Sequence, residues 1–512
     1  MKSLMKRVFA AAAAIATVFG LAATTVATAN AADNATLTVS TTDAKFAGKT
    51  VNAYKMFSAT VSGDGKAVSY TLTDEWKPFF KNSVGLTGVT DENVNDKAND
   101  YVSKLKDSTL VAFATKASNW AQTKANNITA DATATVSADA SNGKYTATFT
   151  GLGYGYYVVA VPGATLANAK SQYATLVSVH STKVDADIKG DLPTVDKKVQ
   201  VDGTGKDATD AKIGDTLTFT LTSTIPDMSA YDTYTFNFKD TLSKGLTFGQ
   251  VKSVKVENVT LTENTDYTVT TPTASNNNTL TVAMKDFKTK QQANAGKKIT
   301  VTYTATLNEN AVVGGAGNVN SAKIQYSNNP STNGTGESEP SKVRVFTYGF
   351  TVDKYTGDQY TDAATRLAGA EFTLAHKDGS AISFVQVSAG SATANAVYRV
   401  AKAGETGTTT ITTPANGKVV FEGLKNGEYT LTETEAPAGY NKLASAIGVK
   451  VNGQNNGTDT TNATVTITYN NDNGNDYNQT ASNGVIPVQN KSGAILPGTG
   501  GMGTIAFTVI GV

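Results

Sequence analysis

The residues with the clearest capacity for chemistry lie near the C-terminal end of the chain, in the segment Tyr429-Thr-Leu-Thr-Glu433. Successive side chains of a β-strand point to opposite faces, so Tyr429, Leu431 and Glu433 share one face. A face with two large apolar side chains is expected to be buried, which places the Glu433 carboxyl group in a core. A buried carboxylate without a partner is costly and tends to take up a proton. The pattern therefore predicts a polar partner for Glu433 on another strand.

Two candidate partners for Glu433 lie at opposite ends of the same region. Each is the last residue of a series in which every second residue is otherwise apolar. The series are Phe350, Val352 and Lys354, and Ile486, Val488 and Asn490. Alternation places the lysine and the asparagine on the same strand faces as the apolar residues before them. From the residues alone, the simplest interpretation is a buried ion pair between Lys354 and Glu433, with Asn490 in a turn.

The segment around Glu433 also resembles a known motif. Residues Tyr429–Tyr440, with the sequence YTLTETEAPAGY, match the E-box of sortase-assembled pilins almost position for position, and similar sequences occur in collagen-adhesin B-type domains. The glutamate of the motif falls on Glu433. The resemblance implies an intramolecular isopeptide bond between Lys354 and Asn490, formed with loss of ammonia. This chemistry needs a neutral, desolvated lysine and a protonated carboxyl group that polarises the asparagine amide and moves protons.

Similar residue types recur in the middle of the chain on two more alternating faces. These are Val195, Lys197 and Val199, and Phe236, Phe238, Asp240 and Leu242. The aspartate segment resembles the related A-type domain, in which an aspartate takes the carboxyl role, and this implies a second bond that starts from Lys197. Lys197 is favoured over Lys198 because it lies on the apolar face and occupies the same place in its strand as Lys354.

The acceptor asparagine of the middle region is less constrained. Asn318 and Asn320 share one strand face, so alternation does not choose between them. Resemblance to the family's Asn-x-Ala pattern favours Asn320. The competing interpretation is an ordinary core pair of Asp240 and Lys197 without a bond. Each bond is expected to join the first strand of its domain to the last and to stabilise the domain by roughly 5 kcal/mol through loop closure.

Both ends of the chain carry targeting patterns. Residues 1–31 run from basic to apolar to small side chains, which is typical of a cleaved secretory signal. Near the other end, Leu496-Pro497-Gly498-Thr499-Gly500 resembles a sortase sorting signal. The resemblance implies cleavage between Thr499 and Gly500 and an acyl-enzyme held at Thr499. The apolar stretch that follows is shorter than the roughly 20 residues of a membrane span, so the stop-transfer element is expected to be truncated.

Polymerisation of such a chain needs an exposed nucleophile. Backbone pilins present a lysine in a YPK-type motif on the strand that closes the first domain. By position, Lys183 matches that lysine, although Ser181-Thr182 replaces Tyr-Pro. Lys189 is the nearest competitor, and a surface lysine is commonly only a solvated charge.

The elements that position these residues are mainly strands. Short alternating runs of Val, Thr, Tyr and Phe from about residue 130 predict antiparallel strands in sandwiches, whereas helical spacing appears within residues 92–127. The predicted fold class is mainly β, with tandem Ig-like sandwiches of the collagen-adhesin A and B types and an added helix in the N-terminal domain. The predicted segments are a signal peptide (1–31), an N-terminal pilin domain (32–187), a middle A-type sandwich (188–344), a C-terminal B-type sandwich (345–492) and a sorting tail (493–512).

An internal repeat relates the first and third domains. Residues 423–433 align without gaps on residues 151–161, and Val161 stands where the third domain has Glu433. The first domain is therefore predicted to lack an isopeptide bond and to be the least stable of the three.

Composition excludes several other functions. The chain has no cysteine, so it has neither disulfides nor a thiolate nucleophile or metal ligand. Its net charge of +1, with 17% charged residues, gives no electrostatic reason to expect a nucleic acid partner. Two histidines and no metal-ligand spacing argue against a secreted hydrolase. We predict no metal and no cofactor.

Taken together, these features resemble the major, or backbone, subunit of a Gram-positive sortase-assembled pilus. The resemblance implies a surface location, a pilin-specific sortase and identical subunits as partners, and final transfer of the polymer to peptidoglycan. Minor pilins are possible further partners, and the host ligand is not identified by the sequence. The chain would be a substrate of sortase that catalyses only its own internal bonds. The alternative is a singly wall-anchored adhesin built from the same domains.

Overall fold

The computed structural model describes residues 34–63, 65–165, 174–330, 332–361, 364–454, 463–470 and 476–493. The predicted signal peptide and the sorting signal Leu496–Gly500, including Thr499, lie outside the described residues. The described residues form six β-sheets, two in each of three successive regions. The mainly β fold class is thereby confirmed.

The first sandwich combines two sheets with helices. Its strands are β1 (Ala35–Thr41), β2 (Thr50–Val61), β3 (Val68–Leu72), β4 (Ala132–Thr135), β5 (Tyr145–Leu152), β6 (Gly155–Ala160), β7 (Ala174–Val179) and β8 (Lys183–Asp187). Its α-helices are α1 (Lys77–Asn82), α2 (Val94–Ser103) and α3 (Asp107–Gln122), with 3-10 turns at Ala44–Phe46, Asp74–Trp76 and Lys124–Asn126. One sheet has the order β5-β1-β8. The other has the order β3-β2-β6-β7, with β4 paired to β2.

Two helices of the first sandwich, α2 and α3, form where the spacing of apolar residues predicts helix, within residues 92–127, whereas α1 lies before that range. Phe113, Ala117 and Ala121 recur every four residues along α3 and are all buried. The ring centroids of Phe113 and Phe79 lie 5.7 Å apart, so α3 and α1 share one aromatic core. Among the described residues, no helix combines the length and the apolar character that crossing a membrane requires.

The middle sandwich is built almost entirely from strands. These are β9 (Asp196–Val201), β10 (Thr204–Lys206), β11 (Ala208–Asp210), β12 (Thr216–Thr224), β13 (Phe236–Leu242), β14 (Leu246–Val256), β15 (Val259–Thr260), β16 (Tyr267–Thr270), β17 (Thr279–Met284), β18 (Lys298–Leu307), β19 (Asn318–Ser327), β20 (Thr335–Glu337) and β21 (Ser341–Phe346). A short helix, α4 (Phe287–Gln291), and 3-10 turns at Ala274–Asn276 and Gln292–Asn294 complete it. The sheet orders are β10-β9-β12-β18-β14-β15 and β11-β21-β19-β13-β17-β16, with β20 paired to β19.

The third sandwich contains only strands among its described residues. They are β22 (Tyr348–Thr356), β23 (Thr365–Arg366), β24 (Glu371–His376), β25 (Phe384–Ser388), β26 (Ala396–Val400), β27 (Ile411–Thr412), β28 (Lys418–Leu424), β29 (Gly427–Glu435), β30 (Ile447–Gln454), β31 (Thr464–Asn470), β32 (Gln479–Thr480) and β33 (Val485–Gln489). One sheet has the order β23-β22-β28-β26-β25, with β33 paired to β22. The other has the order β27-β24-β29-β30-β31-β32.

The first and third sandwiches share the topology of the strands around the repeat. In both, the opening strand pairs antiparallel with the strand before the repeated turn (β5 or β28) and parallel with the closing strand (β8 or β33). The repeated tyrosines also make the same contact, because the Tyr157 hydroxyl donates to the Gly153 carbonyl and the Tyr429 hydroxyl to the Lys425 carbonyl, each at 2.6 Å. The aligned sequence segments therefore occupy equivalent places in the two sandwiches.

The expected first-to-last strand linkage does not apply to the middle sandwich. Lys197 lies on its first strand, β9, but Asn320 lies on β19, and the chain then forms β20 and β21, which both pair with β19. That expectation was wrong because two further strands complete the sheet before the chain enters the third sandwich. In the third sandwich, Lys354 and Asn490 do lie on the opening strand and directly after the closing strand.

Candidate functional site

The structure brings Lys354, Glu433 and Asn490 together in the core of the third sandwich. Lys354 lies on β22 opposite Val488 of the parallel strand β33, and the backbone N–H of Asn490 donates to the Tyr355 carbonyl at 3.0 Å. Glu433 approaches from the facing sheet, on β29. All three residues are buried because strand alternation continues the apolar faces on which they lie.

One carboxyl group touches both reactive side chains in this site. Lys354 Nζ lies 3.2 Å from Glu433 Oε1, and Asn490 Nδ2 donates to Glu433 Oε2 at 3.0 Å. The backbone N–H of Leu443 donates to the same Oε2 at 2.7 Å and fixes the orientation of the carboxyl group. No donor among the described residues reaches Asn490 Oδ1. The amide oxygen is thus available to accept a proton or a hydrogen bond during a reaction.

The electrostatics of the site favour a neutral lysine. The side chains of Lys354 and Glu433 are both 0% exposed. Desolvation lowers the pKa of Lys354 to about 8, although the neighbouring Glu433 carboxylate acts in the opposite direction. A lysine becomes nucleophilic when it loses its proton, so burial brings Lys354 close to the state in which it can attack a carbonyl carbon.

The middle sandwich also brings a lysine, a carboxyl group and an asparagine together in its core, namely Lys197, Asp240 and Asn320. The strands that carry them are arranged differently from those of the third sandwich. Lys197 lies on β9 of one sheet, and Asp240 and Asn320 lie on the neighbouring strands β13 and β19 of the other. A bond between Lys197 and Asn320 would therefore join the two sheets. In the third sandwich, by contrast, Lys354 and Asn490 belong to adjacent parallel segments of one sheet.

A fourth residue, Tyr303 on β18, stands at the centre of the middle site. Lys197 Nζ forms an ion pair with Asp240 Oδ2 and donates a hydrogen bond to Tyr303 Oη at 2.9 Å. The Tyr303 hydroxyl donates to Asp240 Oδ2 at 2.6 Å and accepts from Asn320 Nδ2 at 2.6 Å. Asp240 Oδ1 and Asn320 Oδ1 have no hydrogen-bond donor among the described residues.

Aromatic rings enclose the lysine of the middle site. Lys197 Nζ lies 5.1 Å from the ring centroid of Phe219 and 5.2 Å from that of Tyr303, and the two rings stack. Desolvation lowers the pKa of Lys197 to about 8, against the effect of Asp240. Burial also raises the pKa of Tyr303 well above its ordinary value. The site thus combines a weakly basic amine with a phenol that stays protonated.

Asn318 and Lys198, the two alternatives that the sequence left open, lie outside the hydrogen-bonded middle site. Asn318 is buried, but its amide group binds the main chain of Val312 and the carbonyl of Val345. Lys198 points to the half-exposed face of β9 and pairs with Asp207 at 2.5 Å. Neither residue contacts Asp240 in the structure.

Sequence reasoning did not single out Tyr303, although a signal was present. Ile299, Val301 and Tyr303 alternate along β18 and are all 0% exposed. The pattern predicts an inward tyrosine, and a buried hydroxyl group needs a hydrogen-bond partner. Which partner it meets depends on strand order, because β18 reaches β9 only across β12.

Lys183 and Lys189 differ in their surroundings. Lys183 is the first residue of the edge strand β8, is exposed, and forms no ion pair with any residue that the structure describes. Lys189 is half-buried and lies 3.4 Å from Asp187. An amine without a carboxylate partner is the more accessible nucleophile, so this difference favours Lys183.

The first sandwich has none of the three residue types at the equivalent positions. Leu37 pairs with Phe149 as Phe350 pairs with Phe421, and continuing the same register places Thr41 at the position of Lys354. The same comparison of the parallel strands places Gly190 at the position of Asn490, and the repeat places the buried Val161 at that of Glu433. No lysine, carboxyl group or asparagine is available there for an internal bond.

We therefore expect the first sandwich to unfold before the other two. The isopeptide bond expected in each of the others would close a loop of about 120 to 140 residues and would add roughly 5 kcal/mol to the stability of that sandwich. Hydrogen exchange in increasing guanidinium, read by mass spectrometry, should show β1, β5 and β6 losing protection first. If β22 and β28 lost protection first, the ranking would be wrong.

Within the described ranges, no group of three or more aspartate, glutamate or histidine side chains is arranged so that it could hold a metal ion. Thr499 and the rest of the sorting signal fall outside those ranges. The structure therefore describes the two internal sites and Lys183, but not Thr499.

Comparison with known families adds an independent observation. Residues 213–330 match the family model described as Gram-positive pilin backbone subunit 2, Cna-B-like domain, and residues 358–466 match the model described as SpaA, prealbumin-like fold domain. Over residues 213–330, this chain is thus similar to the backbone subunits of Gram-positive pili. The Cna-B-like description of the middle region differs from the A-type arrangement that its aspartate segment suggests.

Individual backbone-pilin relatives are distant. The trypsin-resistant surface T6 protein of Streptococcus pyogenes serotype M6 is 25% identical over 279 residues, which are 49% of this chain and 44% of the relative. The solved T6 backbone pilin of serotype M6 Streptococcus pyogenes has a TM-score of 0.47 at 18% identity and covers 90% of this chain and 99% of its own. The Corynebacterium diphtheriae major pilin SpaA has a TM-score of 0.46 at 16% identity, with 90% and 100% covered.

Proposed function

We propose that this protein is the structural shaft subunit of a cell-surface pilus, polymerised through Lys183 and Thr499 and stiffened by two internal isopeptide bonds. The observation that carries the proposal is the presence of two separate, fully buried sets of lysine, carboxyl group and asparagine. Buried ion pairs add little net stability compared with apolar residues of similar size. Two such sets, in which the asparagine amide is hydrogen-bonded to the carboxyl group either directly or through a tyrosine hydroxyl, are better explained by a reaction than by stability.

The reaction in the third sandwich follows from its contacts. Lys354 transfers a proton to Glu433, and the neutral amine attacks Cγ of Asn490. Glu433 holds the asparagine amide through Oε2, and the bond between Cγ and Nδ2 breaks as ammonia leaves. The lysine loses two protons, of which one leaves with the ammonia and the other stays on Glu433. Charge is conserved because the initial ion pair and the final products are both neutral overall.

The intermolecular step uses the exposed amine. A pilin-specific sortase would cleave between Thr499 and Gly500, and Lys183 of the next identical subunit would attack the resulting acyl-enzyme. Transfer of the finished polymer to peptidoglycan would place it on the Gram-positive cell surface. Minor pilins would join the same polymer by the same chemistry.

The internal bonds would determine how the subunit carries tension. In the third sandwich, a bond between Lys354 and Asn490 joins the opening strand to the residue after the closing strand, so a pull on the two ends passes through one amide. In the middle sandwich, β20 and β21 lie beyond Asn320. Those two strands are held to the sheet by hydrogen bonds, and the bond protects only the strands before them.

Intact mass of the mature chain tests the proposal directly. Each internal bond removes one ammonia, about 17 Da, so the folded chain should be about 34 Da lighter than its sequence mass. Peptide mapping should assign one loss to Lys197 and Asn320 and the other to Lys354 and Asn490. A chain with its full calculated mass would refute the internal bonds.

A further inference from the structure

The reaction of Lys354, Glu433 and Asn490 in the third sandwich uses no tyrosine. In the middle site, however, the hydroxyl group of Tyr303 contacts every reactive side chain. It lies 2.9 Å from Lys197 Nζ, 2.6 Å from Asp240 Oδ2 and 2.6 Å from Asn320 Nδ2. The side chain is 0% exposed and stacks on Phe219. The geometry of Oη is therefore fixed by packing as well as by its hydrogen bonds.

The aspartate of this site does not contact the asparagine that must lose its nitrogen. In the part of the chain that the structure describes, the hydrogen bond of the Asn320 side chain goes to Tyr303 Oη, and its Oδ1 has no donor. Among the described residues, the hydrogen-bonded link between Asp240 and Asn320 runs through the phenol. A proton that Asp240 receives from Lys197 has one hydrogen-bonded route to the leaving nitrogen, and that route passes through Tyr303.

We propose that Tyr303 is a catalytic residue of bond formation in the middle sandwich and relays a proton from Asp240 to the departing nitrogen of Asn320. This inference rests on the isopeptide bond of the proposed function. Before the reaction, the phenol donates to Asp240 and accepts from Asn320. Once Asp240 carries a proton and the amine of Lys197 has added to Cγ of Asn320, Nδ2 has a free lone pair, the direction of both hydrogen bonds reverses, and the phenol donates to Nδ2.

The proton balance of the step closes without any other reactant. The Lys197 ammonium group gives one proton to Asp240, and its neutral amine attacks Cγ of Asn320. Asp240 passes that proton to Tyr303 while Tyr303 passes its own to Nδ2, so the bond from Cγ to Nδ2 breaks and ammonia leaves. The second proton of the attacking nitrogen goes to Asp240 and remains there. The phenol begins and ends neutral, in agreement with its raised pKa.

The third sandwich shows why the relay is needed in one site and not in the other. Glu433 contacts Lys354 through Oε1 and Asn490 through Oε2, so a single carboxyl group spans the site. Aspartate is shorter than glutamate by one methylene, and Asp240 reaches the lysine but not the asparagine. The Tyr303 hydroxyl fills the gap between them.

The test uses the full mature chain, recovered unfolded in urea and diluted into native buffer, with ammonia loss followed by intact mass and assigned by peptide mapping. Replacing Tyr303 by phenylalanine should slow the loss from the middle sandwich at least about 100-fold, which is the usual size of a general acid contribution. Loss from the third sandwich should be unchanged. Circular dichroism in the same samples should show that the variant folds.

Two further variants separate catalysis from packing. Tyr231→Phe removes another buried hydroxyl of the same sandwich, one that donates to the Ser327 carbonyl at 3.2 Å, and it should react at the wild-type rate. The double variant Tyr303→Phe with Asp240→Glu should recover at least about tenfold of the lost rate, because the longer carboxyl group can reach Asn320 as Glu433 reaches Asn490.

The outcomes distinguish the relay from the bond itself. A wild-type chain that loses no ammonia from the middle sandwich would refute the proposed bond, and the relay with it. A wild-type chain that reacts while Tyr303→Phe reacts equally fast would refute only the relay. Failure of the double variant to recover any rate would contradict the argument from side-chain length.

Discussion

Replacing Glu433 by glutamine is expected to leave the third sandwich without its internal bond and to lower its melting temperature by roughly 10 to 20 °C. Glutamine keeps the size of the side chain but can neither take a proton from the attacking nitrogen of Lys354 nor give one to the leaving nitrogen of Asn490, so ammonia is not lost. The chain should be about 17 Da heavier than the wild type after the residue change is allowed for. Intact mass and differential scanning calorimetry measure the two effects.

The size of that effect comes mainly from the unfolded state. A bond between Lys354 and Asn490 would close a loop of about 136 residues and would remove chain entropy worth roughly 5 kcal/mol. For a domain of about 150 residues, each kcal/mol shifts the melting temperature by roughly 2 to 4 °C. In the unreacted variant the buried Lys354 side chain also lacks its carboxylate partner, which adds to the loss.

Two controls separate these contributions. Glu435→Gln changes an exposed carboxyl group two residues further along β29 and should alter neither the mass loss nor the melting temperature. Asn490→Ala removes the acceptor but keeps the ion pair, so its melting temperature should fall less than that of Glu433→Gln. If Glu433→Gln still lost its ammonia, the carboxyl group would not be the catalyst of the bond.

Strand alternation in the sequence predicted much of the two buried sites. The inward positions of Lys354, Glu433 and Asn490 follow from a period of two on three strands, and so does that of Asp240 in the middle sandwich. Alternation acts within one strand, however, and cannot tell which strands meet. The choice between Asn318 and Asn320 depended on the loop after β18, because that loop binds the amide of Asn318.

Long-range strand order explains what the sequence did not predict. Alternation points Tyr303 inward, but its contact with Lys197 requires β18 and β9 to lie in one sheet with only β12 between them. The presence of β20 and β21 after Asn320 was missed for the same reason, since both complete the sheet by pairing with β19. Pairing across a sheet is a non-local property, and a short segment does not encode it.

The outer lysine decides whether the chain is a polymer subunit or a singly anchored adhesin. Replacing Lys183 by arginine is expected to abolish the covalent polymer, because guanidinium keeps its proton at all accessible pH values and cannot attack an acyl-enzyme. Lys183 is exposed and unpaired among the described residues, so the substitution should leave the fold and both internal bonds intact. The measurement is a ladder of high-mass species that survives boiling in detergent, from cells that express the chain with its pilin sortase.

The matched control is Lys189→Arg, which changes the competing lysine in the same segment. Its pairing with Asp187 persists because arginine keeps the charge, and its ladder should equal that of the wild type. A ladder from Lys183→Arg would show that another lysine is the nucleophile, and loss of the ladder in Lys189→Arg would identify it. A wild-type chain that forms no ladder at all, while retaining both internal bonds, would instead support the singly anchored adhesin. The two internal bonds and the polymer therefore fail independently, since each uses a different lysine.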